Sequence, residues 1–297
     1  MKKLLFLVAA ASISFAFAAC GNTTGGNDSD SLATDSLAGG ETAVAEVDPF
    51  PWDFPQAITL EDAEVGAYAL SCYTFYPSAI EEGEDLTKEC LIFYSGKLSD
   101  ITEETTKVDG KEMPNALVIP IPAGQTAKKG DVLLTWWQSG SGMKRAYVVD
   151  DSDPTQPVVQ YLDMDWKEEG DGFANKFQDQ LKPNSFMQVP DGEWVPGAQV
   201  AHFDGSEWEI GILIHATEDK VLCSGWSSKV FAYDKSECKL VPANESLSAG
   251  DAVMAEFVGS YSEGYTVKKV DKSIGRVWVE KNGDEKILSV LQVTKSL

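Results

Sequence analysis

Between Gly250 and Val293 the apolar positions recur every second residue: Val253, Ala255 and Phe257, then Tyr265 and Val267, with polar or charged residues between them. This is the pattern of strands with one buried face. Val277-Trp278-Val279 and Ile287-Leu288 flank Asn282-Gly283, a pair suited to the two left-handed positions of a type I′ hairpin turn. The register this sets puts Lys281 opposite Asp284 and Trp278 opposite Ile287, which is sensible chemistry for cross-strand pairs. Val290-Leu291-Gln292-Val293 reads as a last short strand. Five short strands within about 45 residues predict a small barrel.

The same beginning and ending recur upstream. The starts are Gly66-Ala67-Tyr68-Ala69, Gly130-Asp131-Val132-Leu133, Gly197-Ala198-Gln199-Val200 and Gly250-Asp251-Ala252-Val253. The ends are Leu117-Val118-Ile119-Pro120, Met187-Gln188-Val189-Pro190, Lys239-Leu240-Val241-Pro242 and Leu291-Gln292-Val293. Fixed self-similarity of this kind marks one unit strung several times. The expected organisation is an all-β chain of four tandem small barrels packed on each other, with modules at 48–122, 123–190, 191–242 and 243–297. Units this short bury little surface alone, which is why they are expected to pack together.

In the third copy, Asp204-Gly205 is expected to turn the first hairpin, and Trp208, Ile210, Ile212 and Ile214 mark a buried face. The second copy carries an insertion from Met164 to Leu181, where Phe173, Phe177 and Leu181 fall at the spacing of a short helix. The first copy is expected to use strands over 67–76 and 89–98, separated by a long acidic loop at Glu81–Asp85.

Gly250-Asp251-Ala252-Val253-Met254-Ala255, Tyr265-Thr266-Val267 and Val277-Trp278-Val279 resemble Tudor-like and other SH3-like barrels. The resemblance covers roughly the last hundred residues well and the middle copies loosely. It implies a bent five-stranded sheet closed on itself, and a binding role. The chain as a whole is similar to multi-barrel lipoproteins of Bacteroidota.

The N-terminus changes the picture of compartment. Lys2-Lys3 precedes an apolar run from Leu4 to Phe17, and Phe17-Ala18-Ala19-Cys20 follows. This is a processing segment over 1–19. It resembles a lipobox, which implies diacylation of Cys20, cleavage before it, and an outer-membrane address, because Gly21 stands where an inner-membrane retention aspartate would be. Phe17 replaces the commoner leucine. Residues 20–47 lack any aromatic residue and read as an acidic, Ser/Gly-rich tether. Asp48-Pro49-Phe50-Pro51-Trp52-Asp53-Phe54-Pro55 then brings aromatics and prolines abruptly, and folded structure is expected to begin there, over a barrel mouth.

Charge removes whole classes of partner. With 24 Lys and Arg against 47 Asp and Glu the formal net charge is −23, which disfavours nucleic acid and anionic headgroups. Four cysteines remain besides Cys20. Export permits Cys72–Cys90 and Cys223–Cys238 bridges, and buried free thiols packing as small apolar residues satisfy the sequence equally.

Chemistry-bearing motifs are scarce. His202 and His215 are the only imidazoles. A turn at Asp204-Gly205 would put His202 opposite Glu207 and leave His215 at the far strand end, so a paired-histidine metal site is disfavoured. Asp163, Asp165, Glu169 and Asp171 form an acidic loop, but Lys167 and Ala174 break the EF-hand order. Ser139-Gly140-Ser141-Gly142 lacks the flanks of a nucleophile elbow. No metal ligand set and no cofactor signature is read.

The aromatics are the better lead. Trp136 and Trp137 are adjacent in one expected strand and so face opposite sides. Trp226, Phe257, Tyr261, Tyr265 and Trp278 complete the candidate ligand contacts. The expectation is a lipid-anchored envelope protein that binds or scaffolds a protein or peptide without catalysis. The alternative is glycan or peptidoglycan binding through exposed tryptophans, and an enzyme of unknown type comes third.

Overall fold

The computed structural model describes residues 48–166 and 178–297. Their strands form antiparallel sheets. The first group is β1 (Tyr68–Ser71), β2 (Tyr94–Ser99), β3 (Thr105–Val108), β4 (Lys111–Pro114) and β5 (Val118–Pro120). The second is β6 (Val132–Trp136), β7 (Met143–Asp150), β8 (Val158–Tyr161), β9 (Gln178–Gln180) and β10 (Met187–Gln188). The third holds β11 (Gln199–Phe203), β12 (Trp208–Ala216), β13 (Lys220–Ser224), β14 (Val230–Asp234) and β15 (Cys238–Leu240). The fourth holds β16 (Ala252–Phe257), β17 (Ser260–Asp271), β18 (Arg276–Lys281), β19 (Asp284–Ser289) and β20 (Val293–Thr294).

Within every group the fifth strand pairs with the first, and the second, third and fourth follow in sequence. A single 3₁₀ turn leads into the fifth strand at Asn115–Leu117, Lys235–Glu237 and Val290–Gln292. The strand order repeats, but no sheet closes. Among the described residues no ladder joins a fourth strand to a fifth. The fifth strands are two or three residues long, and their pairing is used on the first strand. The third and fourth groups are also fused, because β12 pairs with β17 through Trp208↔Tyr261 and Glu209↔Ser260.

The expected Asn282-Gly283 turn is present, with φ of 56° and 88°, and its register pairs Lys281 with Asp284 and Trp278 with Ile287. Other local expectations need correction. Val290–Gln292 is a 3₁₀ turn closed by a reciprocal Ser289–Gln292 capping box, so only Val293 and Thr294 reach the ladder. The strand expected over 67–76 stops at Ser71, and the helix α1 (Tyr76–Glu82) follows. Pro77 suits its first turn and Gly83, at φ 74°, its left-handed end. The partner strand starts at Tyr94 rather than Glu89. The Asp204-Gly205 hairpin has a four-residue loop, so His202 faces Glu209, not Glu207. Most of the helix expected in the 164–181 insertion falls on 167–177, outside the described residues.

One apolar cluster runs through all four groups, from Phe50, Leu70 and Trp136 to Val221 and Val279. Phe50, Trp52 and Phe54 are buried, and the Trp52 indole N–H donates to the Val230 carbonyl at 2.7 Å.

The four cysteines other than Cys20 are free thiols. Of the two alternatives the sequence leaves open, this arrangement holds free thiols and neither bridge. Cys90 is exposed while Cys72 is buried. Cys223 is held opposite Phe231 in the β13–β14 ladder, whereas Cys238 is held opposite His202 in β11–β15. Burial pushes the Cys72 and Cys223 thiols up, and Cys238 up to about 12, the state of inert packing groups.

His215 joins the third group to the first. Its Nε2 lies 2.8 Å from the Val118 carbonyl oxygen, and enclosure of the ring pulls its pKa down to about 4. The unfolded chain therefore binds the extra proton near pH 6.5 and the folded chain only near pH 4. Stability from this group is complete above pH 6.5 and is lost as pH falls through that window, by at most about 3 kcal/mol. His215→Gln keeps a donor for the carbonyl and removes the titration. Its urea midpoint should fall less between pH 7 and pH 4 than the parent's; an equal fall refutes the assignment.

Candidate functional site

One concavity among the described residues, of about 880 Å³, is lined by residues of all four groups. Its polar wall is built on two guanidiniums. Arg145, on β7, is 3 % exposed. Its Nη2 donates to Asp163 Oδ1 at 2.5 Å, and its Nη1 to Gln199 Oε1 at 2.6 Å. The Arg145 backbone N–H donates to the same carboxylate at 2.7 Å. Burial alone would raise the Asp163 carboxyl, but the guanidinium beside it wins and holds the pKa below the usual carboxylate range.

Arg276, at the start of β18, is 1 % exposed. It donates to the carbonyls of Tyr161 at 2.5 Å, Met164 at 3.1 Å and Leu162 at 3.3 Å, so the fourth group grips the second. Burial pulls its pKa down to about 10, opposed by Asp163 and Asp165. The turn leading to it is pressed into the second group as well. Tyr147 Oη donates to the Lys272 carbonyl at 2.7 Å. A Cβ at Gly275, where φ is 65°, would lie 2.9 Å from the Tyr147 ring. Glycine is required there by both space and conformation.

The lip of the cavity is apolar. Trp226 and Val258 line it; with Phe257 beside Val258 they are 56 %, 62 % and 52 % exposed. Trp226 packs over Gly259, where a Cβ would come within 3.1 Å of the indole. Val258 and Gly259 form the β16–β17 turn, and Val258 holds φ at 52°. A β-branched residue in this region is strained. The far wall includes Ile287 and Leu288 of β19, a strand that pairs only with β18 among the described residues.

Of the seven candidate contact aromatics, only Trp226 and Phe257 are exposed; Trp226 lines the cavity, while the Phe257 ring lies under the Lys286 ammonium at 4.0 Å. Trp136, Tyr261, Tyr265 and Trp278 are buried. Trp136 packs on Tyr68 with ring centroids 5.0 Å apart, and Tyr261 Oη donates to the Leu291 carbonyl at 2.7 Å. These are packing residues. Trp137 folds over Gly140, where a Cβ would come within 2.3 Å of its ring, and its indole N–H donates to Ser139 Oγ at 2.8 Å. Cys20 lies outside the described residues.

Sequence reasoning missed Arg145, Arg276 and Val258. One signal was available for the first two: they are the only arginines in the chain. Of the acidic loop, Asp163 is committed to Arg145. Among the described residues no group of three or more His, Cys, Asp or Glu side chains is placed to hold a metal ion. No protein-family model matches the chain, and no curated protein matches it.

Proposed function

We propose that the chain is a lipid-anchored envelope protein in which four units of SH3-like, Tudor-like strand order, each sheet left open, bind an extended polypeptide without catalysis. The recurrent strand order, with a 3₁₀ turn before the fifth strand in three units, supports the unit assignment. Cys20 after its apolar run supports the anchor.

The observation that carries the binding role is the exposed pair of Trp226 and Val258 lining the cavity, with exposed Phe257 next to Val258 in the chain. Apolar side chains at a strained turn are what a partner surface needs and what stability alone disfavours. The unpaired edge of β19 on the far wall offers a polypeptide its backbone hydrogen bonds, while the lip offers a side-chain anchor.

Cross-linked envelopes carrying the full chain should yield a protein partner that Trp226→Ala recovers at roughly a tenth of the parent level. Val258→Asn suits the turn better, so it should recover less partner while raising the melting temperature. Equal recovery by the parent and Trp226→Ala overturns the binding role. Cys20→Ala should move the protein to the soluble fraction, and unchanged membrane partitioning overturns the anchor.

A further inference from the structure

We infer that the third unit carries a second site, built on Phe203 and Trp208, that binds a neutral saccharide. The site is a concavity of about 630 Å³ between the β11–β12 hairpin and the turn before β15, lined by His202, Phe203, Trp208, Ser236, Glu237 and Lys239, among others. Its size lies inside the roughly 300–1,000 Å³ of small-ligand sites.

Two rings make its apolar floor. Phe203 is 41 % exposed, Trp208 is half-buried, and their centroids lie 5.1 Å apart at 45°. Cross-strand pairing of Phe203 with Trp208 holds both on one face. Alternation alone assigned Trp208 to the buried face. Pairing of β12 with β17 ends at Trp208 and Glu209, which leaves the hairpin tip free.

The rim is polar and held in place. His202 stacks on Tyr233, with centroids 3.7 Å apart at 16°. Its Nδ1 is 3.3 Å from Glu209 and its Nε2 3.7 Å from Glu237. Lys239 Nζ stands 5.0 Å from the centre of the Trp208 ring. Glu237 is 58 % exposed at its side chain and keeps acceptor capacity toward the concavity. The exposed Phe203 ring, beside a Trp208 ring over which Lys239 sits, offers a stacking surface to the apolar C–H face of a sugar, and the donors and acceptors around it suit the fringe of hydroxyls. Asp204 and Glu237 line the concavity in a chain of net charge −23, so uronates and sulfated sugars are repelled.

The site is separate from the Trp226 lip and is tested separately. The full mature chain in detergent is titrated calorimetrically with five neutral tetrasaccharides: β-1,4-linked glucose, N-acetylglucosamine, mannose and xylose, and α-1,4-linked glucose. At least one should bind with Kd below about 1 mM. Phe203→Ala and Glu237→Gln should each weaken that binding about tenfold without moving the melting temperature, and Trp226→Ala should leave it unchanged. Phe203 and Glu237 are both exposed, so loss of fold does not confound these variants. The assignment is overturned if no tetrasaccharide binds below about 1 mM, or if Phe203→Ala binds as the parent does. It is also overturned if tetralysine binds there and no sugar does, which would make the floor a cation site.

Discussion

Asp163→Ala is expected to destabilise the folded chain by about 3–5 kcal/mol at pH 7, because it leaves the Arg145 guanidinium buried without a counter-charge. Arg145 donates to Asp163 through Nε, Nη2 and its own backbone N–H, and only Gln199 would remain, on Nη1. Most of the loss comes from stranding the charge rather than from the worth of the pair. Replacing both partners by apolar residues, Arg145→Met with Asp163→Leu, should therefore recover most of it. The check is the shift in urea midpoint at constant slope. The carboxyl pKa is lowered in the folded chain, so this stability is full above the unfolded carboxylate value near 3.9 and disappears in stronger acid. The gap between parent and Asp163→Ala should therefore be flat from pH 5 to 8. A cost under about 1 kcal/mol, or a double variant as weak as the single, refutes the account.

The legible parts of this fold are those decided locally. Asn282-Gly283 dictates its turn through two left-handed residues, and the turn dictates the register of β18 and β19. The recurring glycine starts gave the four sheet openings, since the alternation following each one is a local property. The first group was less legible because its apolar residues fit two periods. Tyr76 and Ala79 pack on the core from a helix that Pro77 starts and Gly83 ends, and Leu86 does so just after it; period-two counting over 67–76 does not weigh those signals. Of the candidate aromatics, only Trp226 was read onto the cavity that the fold forms. Trp136 and Tyr261 carry the same composition signal and the opposite exposure because contact between units, which no local pattern encodes, covers them: Trp136 packs on Tyr68 and Tyr261 clusters with Ala201 and Val241. Val258 was unreadable for a different reason: the strain of its turn exists only once β16 and β17 have paired.

Arg276→Ala is expected to cost about 3–5 kcal/mol, with Arg276→Met costing about half as much. Three carbonyls of the second unit, at Tyr161, Leu162 and Met164, receive this one guanidinium, and truncation to alanine also opens a cavity in a packed wall. Methionine refills the volume. It also removes a charge that the fold holds against desolvation, as the fall in pKa to about 10 shows, and this relief offsets part of the lost hydrogen bonding. Lysine separates charge from shape. Its ammonium keeps the charge but cannot present the planar fork that reaches three oxygens, so Arg276→Lys should be no more stable than Arg276→Met. Urea midpoints of the three variants decide the order. If Arg276→Lys matches the parent, the fork is not what joins the fourth unit to the second. A cost under about 1 kcal/mol for Arg276→Ala would mean that packing around Gly275 and Tyr147 holds that contact alone. With 22 lysines on offer and just two arginines in the chain, both placed in the cavity wall, the geometry of the guanidinium is the property this wall requires.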